Sequence, residues 1–356
     1  MSVAPARAGD GPDAVGVLRR VVDHARRAPS IHNTQPWGWR LVDHGLELWA
    51  DRSRMLEVTD PEGRNLVISC GTALHHAVVA AQALGLASRV EHLPDAGRPA
   101  LLARLAFEPT PYREGDELHL RAIEERCTDR RRFTSWPVPE ERVRDLAEAV
   151  RPWGADATPI TDAAVRFRLE LLVEDALREQ LRDAAVLAEE RDWVERGSRP
   201  DSTEGVPLGA VPALSGLSGE RRSRFAAQVV GEPPSRRLGE ATDGLLVIST
   251  REEGPTAWLH AGEALSALWL RATLGALSVV PLSQVIEVAA TRRVIEELVL
   301  QGDGHAHILV RVGWQEIGRR NTFRTPRRPL DDVLLVDPPH DRATSANPTT
   351  LRPVPH

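Results

Sequence analysis

The stretch AVVAAQALGLAS, residues 77–88, set over ALWLRATLGALS, residues 267–278, decides how this chain is read. At a constant offset of 190, Ala77 meets Ala267, Leu84-Gly85 meets Leu274-Gly275, and Ser88 meets Ser278. Each stretch closes a long apolar helical pattern with glycine as the stop signal, and each is followed by a strand, ALLARLAFEP in one case and HILVRVGW in the other. The identities are few and would not establish a repeat alone. The shared order of strand, long helix ending Leu-Gly, and strand is better explained by a duplicated α+β unit.

Working outward, residues 14–27 place Val17, Leu18, Val21, Val22 and Ala25 at helical spacing until Pro29 ends the pattern. WGWRLVDHGLELWAD alternates as a β-hairpin with Gly45 at its turn, and DGLLVIST reads as a buried strand. The expected fold class is α+β, two fused halves each packing long helices on a mixed or antiparallel sheet. The first half spans 13–115 and the second 116–340, between Pro-, Ala- and Asp-rich tails at 1–12 and 341–356. Residues 190–240 are Gly-, Pro- and Ser-rich and weakly periodic, which fits an active-site lid or a plain linker.

The formal net charge of −6 gives no global field for nucleic acid. All 45 cationic side chains are arginine, so a phosphate site here must use guanidinium forks, backbone N–H groups and hydroxyls. Cys70 and Cys127 are too few for a disulfide framework and lack zinc spacing. No signal-peptide core is visible and no run approaches a membrane span, so a cytoplasmic protein without membrane or nucleic-acid partners is expected.

Four segments could carry chemistry. In RRAPSIHNTQPWGWRL (26–41), Ser30 and Asn33 offer donors and acceptors from a turn, either to a planar polar ligand or simply as turn and cap residues. In ERCTDRRRF (125–133), Arg126, Thr128 and Arg130 alternate and would face one way on an extended backbone, as a phosphate cradle or a solvated face. TPRRPLDDVL adds Arg327 and Arg328. In VVPLSQV, Pro281 fixes the chain so that backbone N–H groups of Ser283 and Gln284 can face a ligand. No dinucleotide fingerprint, P-loop or nucleophile elbow occurs. Cys70, His75 and His76 do not share a helix face, and His305 with His307 lack a third ligand, so no metal is expected.

Together, APS-x-x-N-x-QPW, R-x-T-x-R-x(2)-F, the helix ending Leu-Gly before a proline-led turn, and the C-terminal Arg pair resemble the FMN-dependent nitroreductases. Classical members are homodimers with two equivalent flavin sites and carry the Arg-Ser segment first. Here the order is reversed, which is similar to the tandem-duplicated Acg-like branch, a dimer collapsed into one chain. Over residues 14–335 the resemblance implies one composite site. Arg126, Thr128 and Arg130 would hold the FMN phosphate with help from Arg327 and Arg328. Pro29, Ser30, Ile31 and Asn33 would reach the ring and ribityl chain, and Pro281, Leu282, Ser283 and Gln284 would approach the flavin N5 edge.

The implied activity is hydride transfer from NADH or NADPH through FMN to nitro, quinone or similar electron-poor compounds, by a monomer that imitates a dimer. No protein catalytic acid is required. A flavin-storage protein with a closed lid is the alternative from a different class, and a scaffold that has lost its cofactor is the third.

Overall fold

The computed structural model describes residues 12–43, 45–128, 133–207, 243–314 and 324–335. Its centre is a pair of crossing helices, α2 (Arg64–Ala83) and α7 (Pro255–Leu274), each of 20 residues. They touch through glycine. A Cβ added at Gly71 would lie 2.3 Å from the Leu259 carbonyl oxygen, and one at Gly262 would lie 2.0 Å from that of Ile68. One turn on, His75 Nδ1 meets Ser266 Oγ at 2.8 Å.

These contacts are reciprocal, because Gly71 and Gly262, Ile68 and Leu259, and His75 and Ser266 all differ by 191 residues. Self-complementary contact of this kind is the signature of a twofold axis, here running between two halves of one chain. The same difference relates the helix starts, Arg64 and Pro255, and the strands that follow, which begin at Leu86 and Leu277. It also relates the left-handed residues Gly85 (φ 83°) and Ala276 (φ 57°). The true offset is therefore 191, one more than sequence identity suggests. Aligning glycine on glycine misplaces the second helix stop, since Gly275 has φ −86° and the left-handed turn falls on Ala276.

Around this axis lie two antiparallel sheets of identical order. The first is built from β1 (Trp37–Val42), β2 (Gly45–Ala50), β3 (Leu86–His92) and β4 (Leu101–Pro109), arranged β1-β2-β4-β3. The second, from β5 (Asp156–Pro159), β6 (Gly244–Thr250), β7 (Leu277–Leu282) and β8 (His305–Trp314), is arranged β5-β6-β8-β7. Even the irregularities match, with register shifts at Leu48/Trp49 and Ile248/Ser249. Trp37, Trp39, Leu46 and Leu48 are fully buried in a core shared with α2 and α7. Gly45 opens β2 and is not the hairpin turn; a Cβ there would lie 1.9 Å from the Leu105 carbonyl oxygen.

The helix α2 starts where the Asp60 carboxylate accepts from the backbone N–H groups of Asn65 and Leu66. By length and composition it could cross a membrane, contrary to the sequence reading, but it is buried along most of its length in the protein core. Helix α1 (Pro12–Ala25) packs on it through Val21, Val22 and Ala25. Helix α3 (Asp116–Glu125) touches both α2 and α7. Helix α4 (Glu140–Glu148) precedes β5 and packs on β5 and β6, and α5 (Ala163–Arg182) and α6 (Ala184–Gly197) follow between β5 and β6 in the chain. After β7 come the short α8 (Gln284–Glu287) and α9 (Ala289–Leu300).

Two arms tie the sheets to distant chain. Thr128 bridges Val279 on β7, and Leu334, after α10 (Leu330–Val333), bridges Trp39 on β1. The Leu335 N–H donates to the Trp39 carbonyl at 2.7 Å. Residues 324–335 thus lie against the first sheet despite following the second in sequence.

Candidate functional site

Loop 28–36 between α1 and β1 is held in an unusual backbone. His32, Asn33 and Gln35 have φ of 45°, 55° and 49°, three left-handed non-glycine residues in four. Such conformations each cost on the order of 1–3 kcal/mol and persist only where surroundings impose them. The surroundings are explicit. The Ser30 hydroxyl accepts from Gln35 N–H at 3.0 Å, and Asn33 Nδ2 donates to the carbonyls of Gly205 (3.1 Å) and Pro326 (3.2 Å). Asn33 Oδ1 accepts from Arg327 Nη1 at 3.0 Å. The side chains of Ser30 and Asn33, expected to reach a ligand, also shape the loop. Ser30 and Ile31 are the half-buried residues of the loop.

A stripe of polar residues on α2 organises the region. Asn65, Ser69, Thr72 and His76 recur at i, i+4, i+7 and i+11, hence on one face, over roughly 16 Å of helix. Asn65 Nδ2 donates to Glu287 Oε1 at 3.2 Å, Ser69 Oγ accepts from Ile31 N–H at 3.1 Å, and Thr72 Oγ1 donates to the Pro29 carbonyl at 2.6 Å. His76, buried at the far end, is kept neutral by burial and the positive charges of Arg126 and Arg327. The stripe therefore lines up α8 beyond Pro281–Gln284, loop 29–33, and a cluster of arginines. His76 does not share a face with Cys70, but its spacing from Asn65, Ser69 and Thr72 places it on their face of the helix.

The arginine cluster lies at the end of α1. Arg126 Nη2 and Arg327 Nη2 both donate to the Arg27 carbonyl at 3.3 Å, so two guanidinium groups converge on one oxygen. Arg126 also lies over the Trp269 ring at 4.7 Å. After these bonds, Arg126 Nε and Nη1, Arg327 Nε and Arg27 Nε remain buried without a hydrogen-bond partner. Among the described residues no carboxylate pairs with any of the three. Burial brings Arg126 down to about 10, and burial with repulsion from Arg126, Arg26 and Arg27 brings Arg327 down to about 9. Both remain cations at neutral pH. Buried donors on uncompensated cations are costly, and an anion is the group that would satisfy them.

The other expected site residues separate. Thr128 is half-buried, bridged by backbone to β7 two residues before Pro281, and Arg130 lies outside the described residues. Arg328 tethers the C-terminal segment to the loop and β1. Its guanidinium donates to the carbonyls of Gln35 (3.3 Å), Trp37 (3.5 Å) and Asp332 (2.7 Å), and its N–H to Gln35 Oε1 (2.9 Å). Pro281 sits within edge strand β7 opposite Val310, where its missing N–H is tolerated, and Leu282 is buried. Ser283 precedes α8, and Gln284 is its buried first residue. His305 faces Glu253 and Glu296, while buried His307 is held between Arg64 and Thr250.

Of the 190–240 segment, residues 190–197 complete α6 and are not irregular, and 198–207 fold over loop 33–35. Gln35 Nε2 donates to the Thr203 carbonyl at 2.7 Å, Arg54 pairs with Glu204, and Gly205 (φ 74°) passes against Gly197. Residues 208–242 lie outside the described residues.

No family model matches the chain. Over 323 residues it is 34% identical to the Mycobacterium tuberculosis H37Rv protein named "Putative NAD(P)H nitroreductase Rv3131", a match spanning 91% of this chain and 92% of that one. It is 32% identical over 326 residues to "Putative NAD(P)H nitroreductase acg" of the same strain, spanning 90% and 96%. Among solved structures, the FMN- and NADPH-dependent nitroreductase NfnB from a Sphigopyxis strain aligns with TM-score 0.41 at 18% identity, over 62% of this chain and 98% of that one. With such relatives along nine-tenths of its length, the chain belongs to the NAD(P)H nitroreductase family, in the branch that contains Acg.

Proposed function

We propose that this chain is an FMN-binding oxidoreductase that acts as a cytoplasmic monomer, taking a hydride from NADH or NADPH and delivering it to nitro, quinone or similar electron-poor small molecules. The observation that carries the reading is the buried Arg126–Arg327 pair, whose orphaned N–H groups ask for an anion such as the FMN phosphate. Bound flavin would supply the hydride acceptance and return that no side chain can perform.

The chain's own residues bind and orient. Arg126 and Arg327 would take the phosphate by charge-assisted hydrogen bonds, with Arg27 adding positive charge and Thr128 and Arg130 completing the cradle. Neutral His76 can donate or accept beside them without adding a further charge. The polar stripe of α2 bonds loop 29–33 through Ser69 and Thr72 and α8 through Asn65 and Glu287. The imposed left-handed residues hold the loop backbone still, so little ordering cost falls on binding.

A second reading, flavin storage, is favoured by one observation. Residues 198–207 are bonded onto loop 33–35 through Gln35, Asn33 and Arg54, as a closed cover would be. Recording the visible spectrum of purified protein and then adding NADH or NADPH without oxygen separates the readings. Yellow protein that bleaches and turns over supports the enzyme. Yellow protein that ignores both donors supports storage, and colourless protein that takes up no FMN rejects both.

A further inference from the structure

The twofold relation carries the α2 stripe Asn65, Ser69, Thr72 and His76 onto Thr256, His260, Glu263 and Ala267 of α7. At the dyad-related position two hydroxyls have thus become an imidazole and a carboxylate, three residues apart and hence neighbours on the helix. A third group meets them from the other half. His92, at the end of β3, places Nε2 2.9 Å from Glu263 Oε2, and its ring centroid lies 4.9 Å from that of His260. One donor atom from each of the three lies within 4.8 Å of the others.

We propose that His92, His260 and Glu263 form a binding site for a divalent transition-metal ion, zinc first, built where the dyad would otherwise repeat the anion-and-ring site. Two imidazoles and one carboxylate are a donor set for such ions, with one or more positions left open. Donors about 2.0–2.2 Å from a tetrahedral ion stand roughly 3.3–3.6 Å apart, so side-chain rotations that move a donor by about 1 Å close the cluster. Glu263 is only 2% exposed, which suits a ligand held rigidly on a core helix.

His260 lines a cleft of about 370 Å³ whose walls carry Asp156, Glu252 and Glu253 beside Arg251, with Glu253 also paired to Arg64 and Arg292, so the route into the cluster carries both signs of charge with acidic groups in excess on the walls. Gly154 makes room for the ring, since a Cβ there would lie 2.7 Å from His260 Nδ1. A purely structural His92–Glu263 ion pair explains two of the three residues. Nothing in that pair requires the second imidazole.

The test uses the full chain as purified, stripped with chelator and titrated with Zn²⁺ by calorimetry, then with Co²⁺ by visible difference spectroscopy. One Zn²⁺ per chain is expected. His260→Ala, at a half-buried position, should weaken binding at least about 100-fold. His92→Ala should do the same, and His305→Ala should leave binding unchanged, with circular dichroism reporting that each variant is folded. Absence of stoichiometric Zn²⁺ uptake by the wild type, or uptake unaltered by His260→Ala, overturns the proposal. So does loss of uptake in His305→Ala alone.

Discussion

Replacing Gly262 with alanine sets two effects against each other. Alanine in a helix interior is favoured over glycine by about 1 kcal/mol, so on propensity alone the change stabilises. At the crossing, however, the new Cβ would lie 2.0 Å from the Ile68 carbonyl oxygen and 2.8 Å from Gly71 Cα. Neither atom can turn away, because both are backbone of a helix buried on all sides. The helices must part, and a radial gap of only about 0.5–1 Å already forfeits a quarter to a half of each dispersion contact along the seam. Overpacking of this kind costs roughly 1–3 kcal/mol, and stretching the buried His75–Ser266 bond at 2.8 Å adds about 1. The net expectation, with the propensity gain subtracted, is destabilisation by about 1–3 kcal/mol. Gly16→Ala on α1, where nothing lies within 4 Å, is the control and should stabilise by about 1 kcal/mol. Urea unfolding midpoints read both. A Gly262→Ala midpoint at or above wild type would refute the close axial crossing on which the two-half description rests.

Two carboxylates should respond oppositely to pH. Burial raises Asp60 to about 6, so its folded pKa exceeds its unfolded one and wild-type stability should rise as pH falls from 7 to 5. Asp60→Asn should flatten that dependence in pH-resolved melting. Burial pushes Glu47 upward, but hydrogen bonds from Arg104, Trp49 and Arg40 outweigh it and hold its pKa low. Its stabilisation is therefore full at neutral pH and lost as pH falls through the carboxylate range; Glu47→Gln should cost about 2 kcal/mol at pH 7 and less at low pH. Gly205→Ala meets the Trp193 carbonyl oxygen at 2.3 Å in a left-handed conformation, so residues 198–207 should detach from loop 33–35. Limited proteolysis should cut that segment faster than in wild type, and an unchanged rate would contradict its role as a cover.

The duplicated architecture was legible because helix stops and strand order repeat, and because long apolar helices announce themselves by length. The register was not, since a left-handed turn normally calls for glycine and here the second half uses Ala276. Arg126 and Arg327 could be picked out as residue types, but their convergence on the Arg27 carbonyl is tertiary, and Arg328 looked equivalent until its donors were traced to carbonyls. Ser30 and Asn33 were visible as polar turn residues; only the backbone dihedrals show that they spend those groups on the loop itself. His260 and Glu263 stand at i, i+3 on α7, but His92 comes from the other half, and no spacing along the chain brings it to them.

The anion preference of Arg126 and Arg327 is isolated by comparing FMN with riboflavin, because the two share the ring and differ by the phosphate. Two charge-assisted hydrogen bonds to buried guanidinium groups are worth roughly 3–6 kcal/mol, so flavin-free protein titrated by fluorescence quenching should bind FMN about 100- to 10,000-fold more tightly than riboflavin. Arg126→Ala with Arg327→Ala should erase most of that difference while leaving riboflavin binding little changed. Equal affinity of the wild type for FMN and riboflavin would contradict the central claim.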